Sequence, residues 1–215
     1  MLYIEKHNLK LKRDKILISV FSVALSLYLA FSCTYFAGAA KTVRDDVVRL
    51  HILANSNSEF DQNVKLQVRD ELLDKNTALL SNGVNTENAP VYFEISKGEL
   101  LESAEKVLRA NNCNYNAKLI LEKEYFETRV YGDYTFPAGE YTALKVILGE
   151  GKGKNWWCVM FPPLCVPAAD SVDTNGTATD YLTESGEKIV SSGNKFVVKF
   201  KLLEIYEELY EKHFK

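Results

Sequence analysis

Apolar residues run from Ile16 to Ala40 without a single charge, and the pattern then breaks into short periodic segments. About 20 apolar residues are enough to span a bilayer. The stretch ILISVFSVALSLYLAF carries only Ser19, Ser22 and Ser26 as polar positions, too few for the polar stripe of a globular helix. Further on, Val48, Leu50, Ile52 and Ala54 alternate with Arg49 and His51, which predicts a strand with one buried face and one outward face. The polar run Asn55-Ser56-Asn57-Ser58 follows. Ser56-x-x-Glu59 fits a capping box and Ser58-x-x-Asp61 is a near match. The helix they open is expected to bury Phe60, Val64, Val68 and Leu72, to pair Asp61 with Lys65 on its solvent side, and to end at Asn82-Gly83.

A second unit follows Pro90. Residues 91–95 read as a strand, Ser96-x-x-Glu99 as another capping box, and Leu100, Leu101, Ala104, Val107 and Leu108 as the apolar stripe of a helix reaching Asn111-Asn112. From Ala117 the chain turns β-rich, with candidate strands at 118–126, 129–134, 141–148 and 156–161. Pro162-Pro163 stops the last, because proline gives no ladder donor. Trp157, Val159 and Phe161 fall on one face of that strand, and Trp156, Cys158 and Met160 on the other. Residues 167–194 are rich in Asp, Ser, Thr, Gly and Asn and read as a polar surface insertion. Residues 195–201 (KFVVKFK) read as a closing strand, and Leu202, Ile205, Tyr206, Leu209 and Tyr210 as the stripe of a terminal helix. The expected fold is α+β of α/β-sandwich type: a mixed sheet of about five to seven strands with two or three helices on it, after an N-terminal signal or transmembrane helix.

Charge gives the leader its direction. Residues 1–40 hold five of the 26 Lys+Arg and two of the 29 Asp+Glu, leaving 21 bases and 27 acids, a net −6, for the rest of the chain. The bases Lys6, Lys10, Lys12, Arg13 and Lys15 precede the apolar run, so the positive-inside rule keeps them in the cytoplasm and sends residues 41–215 across the membrane. Ala37-Gly38-Ala39 offers the small residues of a signal-peptidase site, while residues 16–40 are also long enough to stay as an anchor. Cys33 lacks the small aliphatic neighbours of a lipoprotein site, because Phe31 lies two residues before it. The expected organisation is a signal peptide or anchor at 1–40 and one extracytoplasmic domain at 41–215. Without a basic balance, nucleic acid is not an expected partner.

Catalytic chemistry is hard to assemble from these residues. Beyond the leader the histidines are His51 and His213, and a nucleophile needs an oriented base or a metal with three ligands. His51, able to reach Ser56 or Asp61 across the next turn, is the only seed of a hydrolase reading. Gly149-Glu-Gly-Lys-Gly-Lys154 fails as a phosphate loop. Leu148 stands where the first glycine belongs, and Asn155 where the Mg²⁺-binding hydroxyl does. The reading is therefore no catalytic residues, no metal, no cofactor and no small-molecule substrate. The glycine-rich turn and the pair Trp156 and Trp157 instead suit a surface that anchors a protein. Outside the cytoplasm Cys158 and Cys165 are close enough in sequence to be oxidised together, and closing eight residues is worth about 2.5 kcal/mol in the loop-entropy picture.

Two blocks resemble a known family. Arg49-Leu-His-Ile-Leu-Ala-Asn-Ser-Asn-Ser-Glu59 with Asp61-Gln62 and Lys65-Leu-Gln-Val-Arg-Asp70, and Phe136-Pro-Ala-Gly-Glu-Tyr141 with residues 149–165 (GEGKGKNWWCVMFPPLC), are similar to the stage II sporulation protein R family. Residues 198–204 also resemble that family's end, while residues 167–194 and Asn57, where an Asp is expected, depart from it. The resemblance implies a signalling ligand, not an enzyme. Such a protein is made in the forespore and exported into the space between forespore and mother cell. There it activates a membrane-embedded aspartic protease (SpoIIGA type) that processes a sigma-E-type pro-sigma factor. The candidate partner surface is Asn55, Ser56, Asn57, Asp61, Lys154, Trp156 and Trp157. The alternatives are an extracytoplasmic cell-envelope hydrolase built on His51 and a membrane-tethered binding module.

Overall fold

The structure is a computed structural model that describes residues 2–80, 84–86, 88–131, 134–162, 182 and 184–191. The chain divides into two compact units, Met1–Ala39 and Ala40–Lys215. In the first, helix α1 (Leu2–Asp46) begins, and its stretch from Arg13 on is long and apolar enough to cross a membrane. Ile16, Leu17, Val20, Phe21, Leu27 and Phe31 are all exposed on it. Its hydroxyls turn back on the helix: Ser26 Oγ donates to the Ser22 carbonyl at 2.9 Å and Thr34 Oγ1 to that of Ala30 at 3.1 Å. That satisfies them without water.

The second unit is α+β, as expected. Its elements are β1 (Val48–Leu53), α2 (Glu59–Leu80), α3 (Ala89–Ala110), β2 (Ala117–Phe126), β3 (Arg129–Tyr131), β4 (Tyr134–Phe136), β5 (Gly139–Leu148), β6 (Asn155–Phe161) and α4 (Glu184–Val190). Among the described residues the main sheet has four strands in the order β2-β5-β1-β6, and β3 and β4 form a separate hairpin. β1 runs parallel to β5 and antiparallel to β6, while β2 is antiparallel to β5. Helices α2 and α3 cover one face through Val64, Val68, Leu72, Phe93, Leu100, Ala104 and Leu108. Val43, Val47, Phe126, Phe136, Tyr141, Val159, Leu182 and Val190 build a second cluster on the other.

Two layers explain the first departure from the sequence pattern. β1 lies between neighbours with cover on both faces, so Arg49 and His51 are buried, not outward. Alternation marks which residues share a face and says nothing about what covers it.

The second departure is α3, which runs unbroken through the expected strand at 91–95. Pro90 sits in its first turn, where the missing N–H costs nothing. Asn85 and Asn88 fix the approach by exchanging hydrogen bonds: each backbone N–H donates to the other's side-chain carbonyl, at 2.7 and 3.0 Å. Val91 and Ile95 therefore point to solvent, and Phe93 and Ser96 point inward.

The third lies in β6. A bulge shifts the register between Val48 and Arg49, so that Val48 faces Phe161 while Arg49 faces Val159. The extra residue moves Phe161 to the face of Cys158 and Met160, away from Trp157 and Val159. Buried Asn76 of α2 donates its Nδ2 to the Met160 carbonyl at 2.7 Å, satisfying a group at the bulge. Within the segment read as a polar insertion, Leu182 and Val190 are buried, and α4 packs on β4. The expected closing strand and terminal helix at 195–210 lie outside the described residues.

Candidate functional site

The C-terminal end of β1 turns into α2 over residues 54–58, and the turn between β5 and β6 crosses directly above it. Three alternate glycines make the crossing possible. Gly149 and Gly151 have φ of +57° and +63°, a region side chains rarely adopt. Gly153 has ordinary torsions, but a Cβ there would meet the Ser56 carbonyl oxygen at 2.2 Å. The spacing that fails as a phosphate loop is thus what two tight turns and one close approach require. Lys152 and Gly153 N–H donate to the carbonyls of Asn55 and Ala54, at 3.2 and 2.8 Å.

Side chains complete the clasp. Asn55 Oδ1 accepts the Glu150 N–H at 3.0 Å and Asn57 Oδ1 accepts the Lys154 N–H at 2.9 Å. Asp61 is buried beneath them and accepts from Ser56 Oγ at 2.6 Å, Asn55 Nδ2 at 3.0 Å and Tyr115 Oη at 2.6 Å. Burial works against the Asp61 charge, but hydrogen bonds from Ser56, Tyr115, Asn55 and Ser58 outweigh it and hold the pKa below the usual aspartate value. The helix cap is Ser58, whose Oγ accepts the Asp61 N–H at 3.1 Å; Ser56 supports Asp61 instead. Asp61 and Lys65 do not pair, for Lys65 Nζ donates to Gln62 Oε1 at 2.7 Å and the Lys154 carbonyl at 3.0 Å.

Of the seven residues expected at a partner surface, Asn57 and Lys154 are exposed. Asn55, Ser56, Trp156 and Trp157 are half-buried and Asp61 is buried, so the structure gathers the turn residues into one clasp while directing most of their side chains inward. The two tryptophans part to opposite faces. Arg69 lies over the Trp156 indole at 4.4 Å, and Trp157 stacks on His51 with centroids 3.5 Å apart. Sequence reasoning missed Phe60, expected in the core but 50% exposed. It opens α2, one turn before the helix settles on the sheet, and its place in the first turn beside the cap was the available signal.

The buried face holds the remaining polar chemistry. His51 Nδ1 lies 3.0 Å from both Glu124 carboxylate oxygens. Lys145 bridges Glu122 and Glu124 at 2.9 and 3.0 Å. The Glu122 hydrogen bond leads in raising the Lys145 pKa; burial opposes it and Glu124 adds to it. His51 thus pairs with Glu124, not with Ser56 or Asp61. Its Nε2 is enclosed without a partner, and only 3% of the residue is exposed. Arg49 is fully buried in a cage of Phe126, Tyr131, Phe136 and Tyr141, with its Nη2 donating to Tyr131 Oη at 3.1 Å. Burial pushes its pKa down. Among the described residues no group of three His, Cys, Asp or Glu is placed to hold a metal ion. Cys33 and Cys113 are free thiols, whereas Cys158 is disulfide-bonded; its expected partner, Cys165, lies outside the described residues.

Stage II sporulation protein R of Bacillus subtilis (strain 168) is 37% identical over 123 residues, covering 57% of this chain and 55% of that protein. The chain therefore spans about half the length of this curated relative. No solved structure matches. Residues 44–171, more than half the chain, match the family described as stage II sporulation protein R (spore_II_R) and contain β1 to β6 with both halves of the clasp. The chain belongs to the stage II sporulation protein R family, a family of sporulation proteins.

Proposed function

We propose that this chain is an exported signalling protein of endospore formation, which activates a membrane-embedded aspartic protease so that it processes a sigma-E-type pro-sigma factor in the mother cell. On this reading residues 41–215 act outside the cytoplasm, in the space between forespore and mother cell, after an N-terminal segment that is either cleaved or kept as an anchor. Activation is differential binding: a ligand shifts its receptor only by preferring one of its states.

The observation that carries the reading is the clasp. Two turns, joined by the side chains of Asn55 and Asn57, with Asp61 holding Asn55 from beneath, carry exposed Phe60 and Lys154 on a fixed frame at one end of the sheet. A rigid surface of this kind loses little entropy on docking. The hydrolase alternative gains no support from His51, whose ring is stacked on Trp157 and whose Nε2 is closed off from substrate.

The test is complementation. Sporulating cells lacking their own copy receive the full-length chain or its Phe60→Ala variant, and pro-sigma processing is followed on blots. The reading expects the wild-type chain to restore processing. It expects Phe60→Ala, at an exposed position, to lower processing about ten-fold at unchanged protein level, the loss of roughly one aromatic anchor. Processing that proceeds equally well without any copy of the chain would sink the reading.

A further inference from the structure

One edge of the domain gathers cations that the clasp does not use. Lys65 is 4% exposed on α2, and its hydrogen-bond partners, Gln62 Oε1 and the Lys154 carbonyl, are both neutral. A buried ammonium is costly unless a carboxylate compensates it. Among the described residues Lys65 has no carboxylate partner. Burial, then Arg69 and Lys154, lower its pKa. One turn along α2, Arg69 lies over the Trp156 ring and is held by Asp70 at 2.6 Å. Lys154, at the entry to β6, is exposed and makes no ion pair among the described residues. The nearby Glu150 is taken by Lys152 at 2.8 Å, and Asp61 by Asn55, Ser56 and Tyr115. Trp156 Nε1, at the same edge, is a buried donor without an acceptor. Glu150, Asp61 and Asp70 are thus already engaged, in a domain whose net charge is −6.

We infer that the edge between α2 and β6 is a docking surface for an acidic peptide segment of the protein partner. The carboxylates would sit on exposed Lys154, beside Trp156 and over the enclosed ammonium of Lys65. The inference rests on the signalling reading for the partner's identity and adds the chemistry of the contact. Complementary charge of this kind sets on-rate and register more than raw affinity, and it weakens with salt.

The experiment has two arms. In complemented sporulating cells, Lys154→Glu should cut pro-sigma processing about ten-fold or more, while Lys154→Arg and Lys118→Glu, a reversal at an exposed β2 position, leave it near wild type. In the second arm the full-length chain in neutral detergent is titrated with a deca-glutamate peptide, read by fluorescence of its two tryptophans. Binding should weaken at least about ten-fold with Lys154→Glu, and again between low and physiological salt. No deca-glutamate binding, or equal loss with Lys118→Glu, overturns the docking surface. If cells process the pro-sigma factor without any copy of the chain, the signalling reading fails, and the peptide arm still decides the surface.

Discussion

Asp61 gathers more of the candidate site than any other side chain, and its role is open to a pH measurement. Its folded pKa lies below the unfolded value. It therefore contributes stability that is fully present above the ordinary aspartate pKa and is lost as pH falls through the folded one. Denaturation followed between pH 7 and pH 2 should show that loss in the wild type and much less of it in Asp61→Asn, which starts less stable. An identical acid profile in both would remove Asp61 from this role. Two glycines give opposite signs. Gly153→Ala drives a Cβ onto the Ser56 carbonyl and should cost about 1–3 kcal/mol. Gly98, exposed within α3 with open space around it, should gain about 0.5–1 kcal/mol as alanine. Thermal melts of the two variants check both. His51→Ala, an attractive probe of catalysis from sequence, is by its burial against Trp157 and Glu124 a stability variant expected to cost about 2–3 kcal/mol.

Elements were legible where one signal ruled. β-rich segments bounded by Pro or Gly punctuation placed β2, β5 and β6 within a few residues, and Val64, Val68 and Leu72 set the buried face of α2. Residues 91–95 were not legible, because VYFEI has β-favouring side chains and only the asparagine pair and Pro90 before them commit the chain to a helix. The bulge in β6 left no mark in its own sequence. Its support comes from Asn76, 84 residues away, through a buried contact. Replacing Asn76 by Ala leaves the Met160 carbonyl unpaired and should cost about 1–3 kcal/mol, measurable as a lower urea midpoint. A midpoint equal to wild type would mean that the bulge needs no such partner.

At the scale of the molecule, the residues of the clasp were nameable from sequence because the polar run after β1 and the alternate glycines after β5 are both unusual. What was not legible is that they meet. Parallel pairing of β1 with β5 brings together segments about 95 residues apart, and long-range pairing leaves no periodic trace. The stretch of α1 from Arg13 on, long and apolar enough to cross a membrane, and the disulfide-bonded Cys158 are consistent with the proposed action outside the cytoplasm. The most direct test is where the chain must be to act. Replacing residues 16–40 with a polar linker of equal length should leave the protein in the compartment that makes it and abolish pro-sigma processing, while the unaltered chain restores it. Full processing driven by the unexported variant would contradict the account.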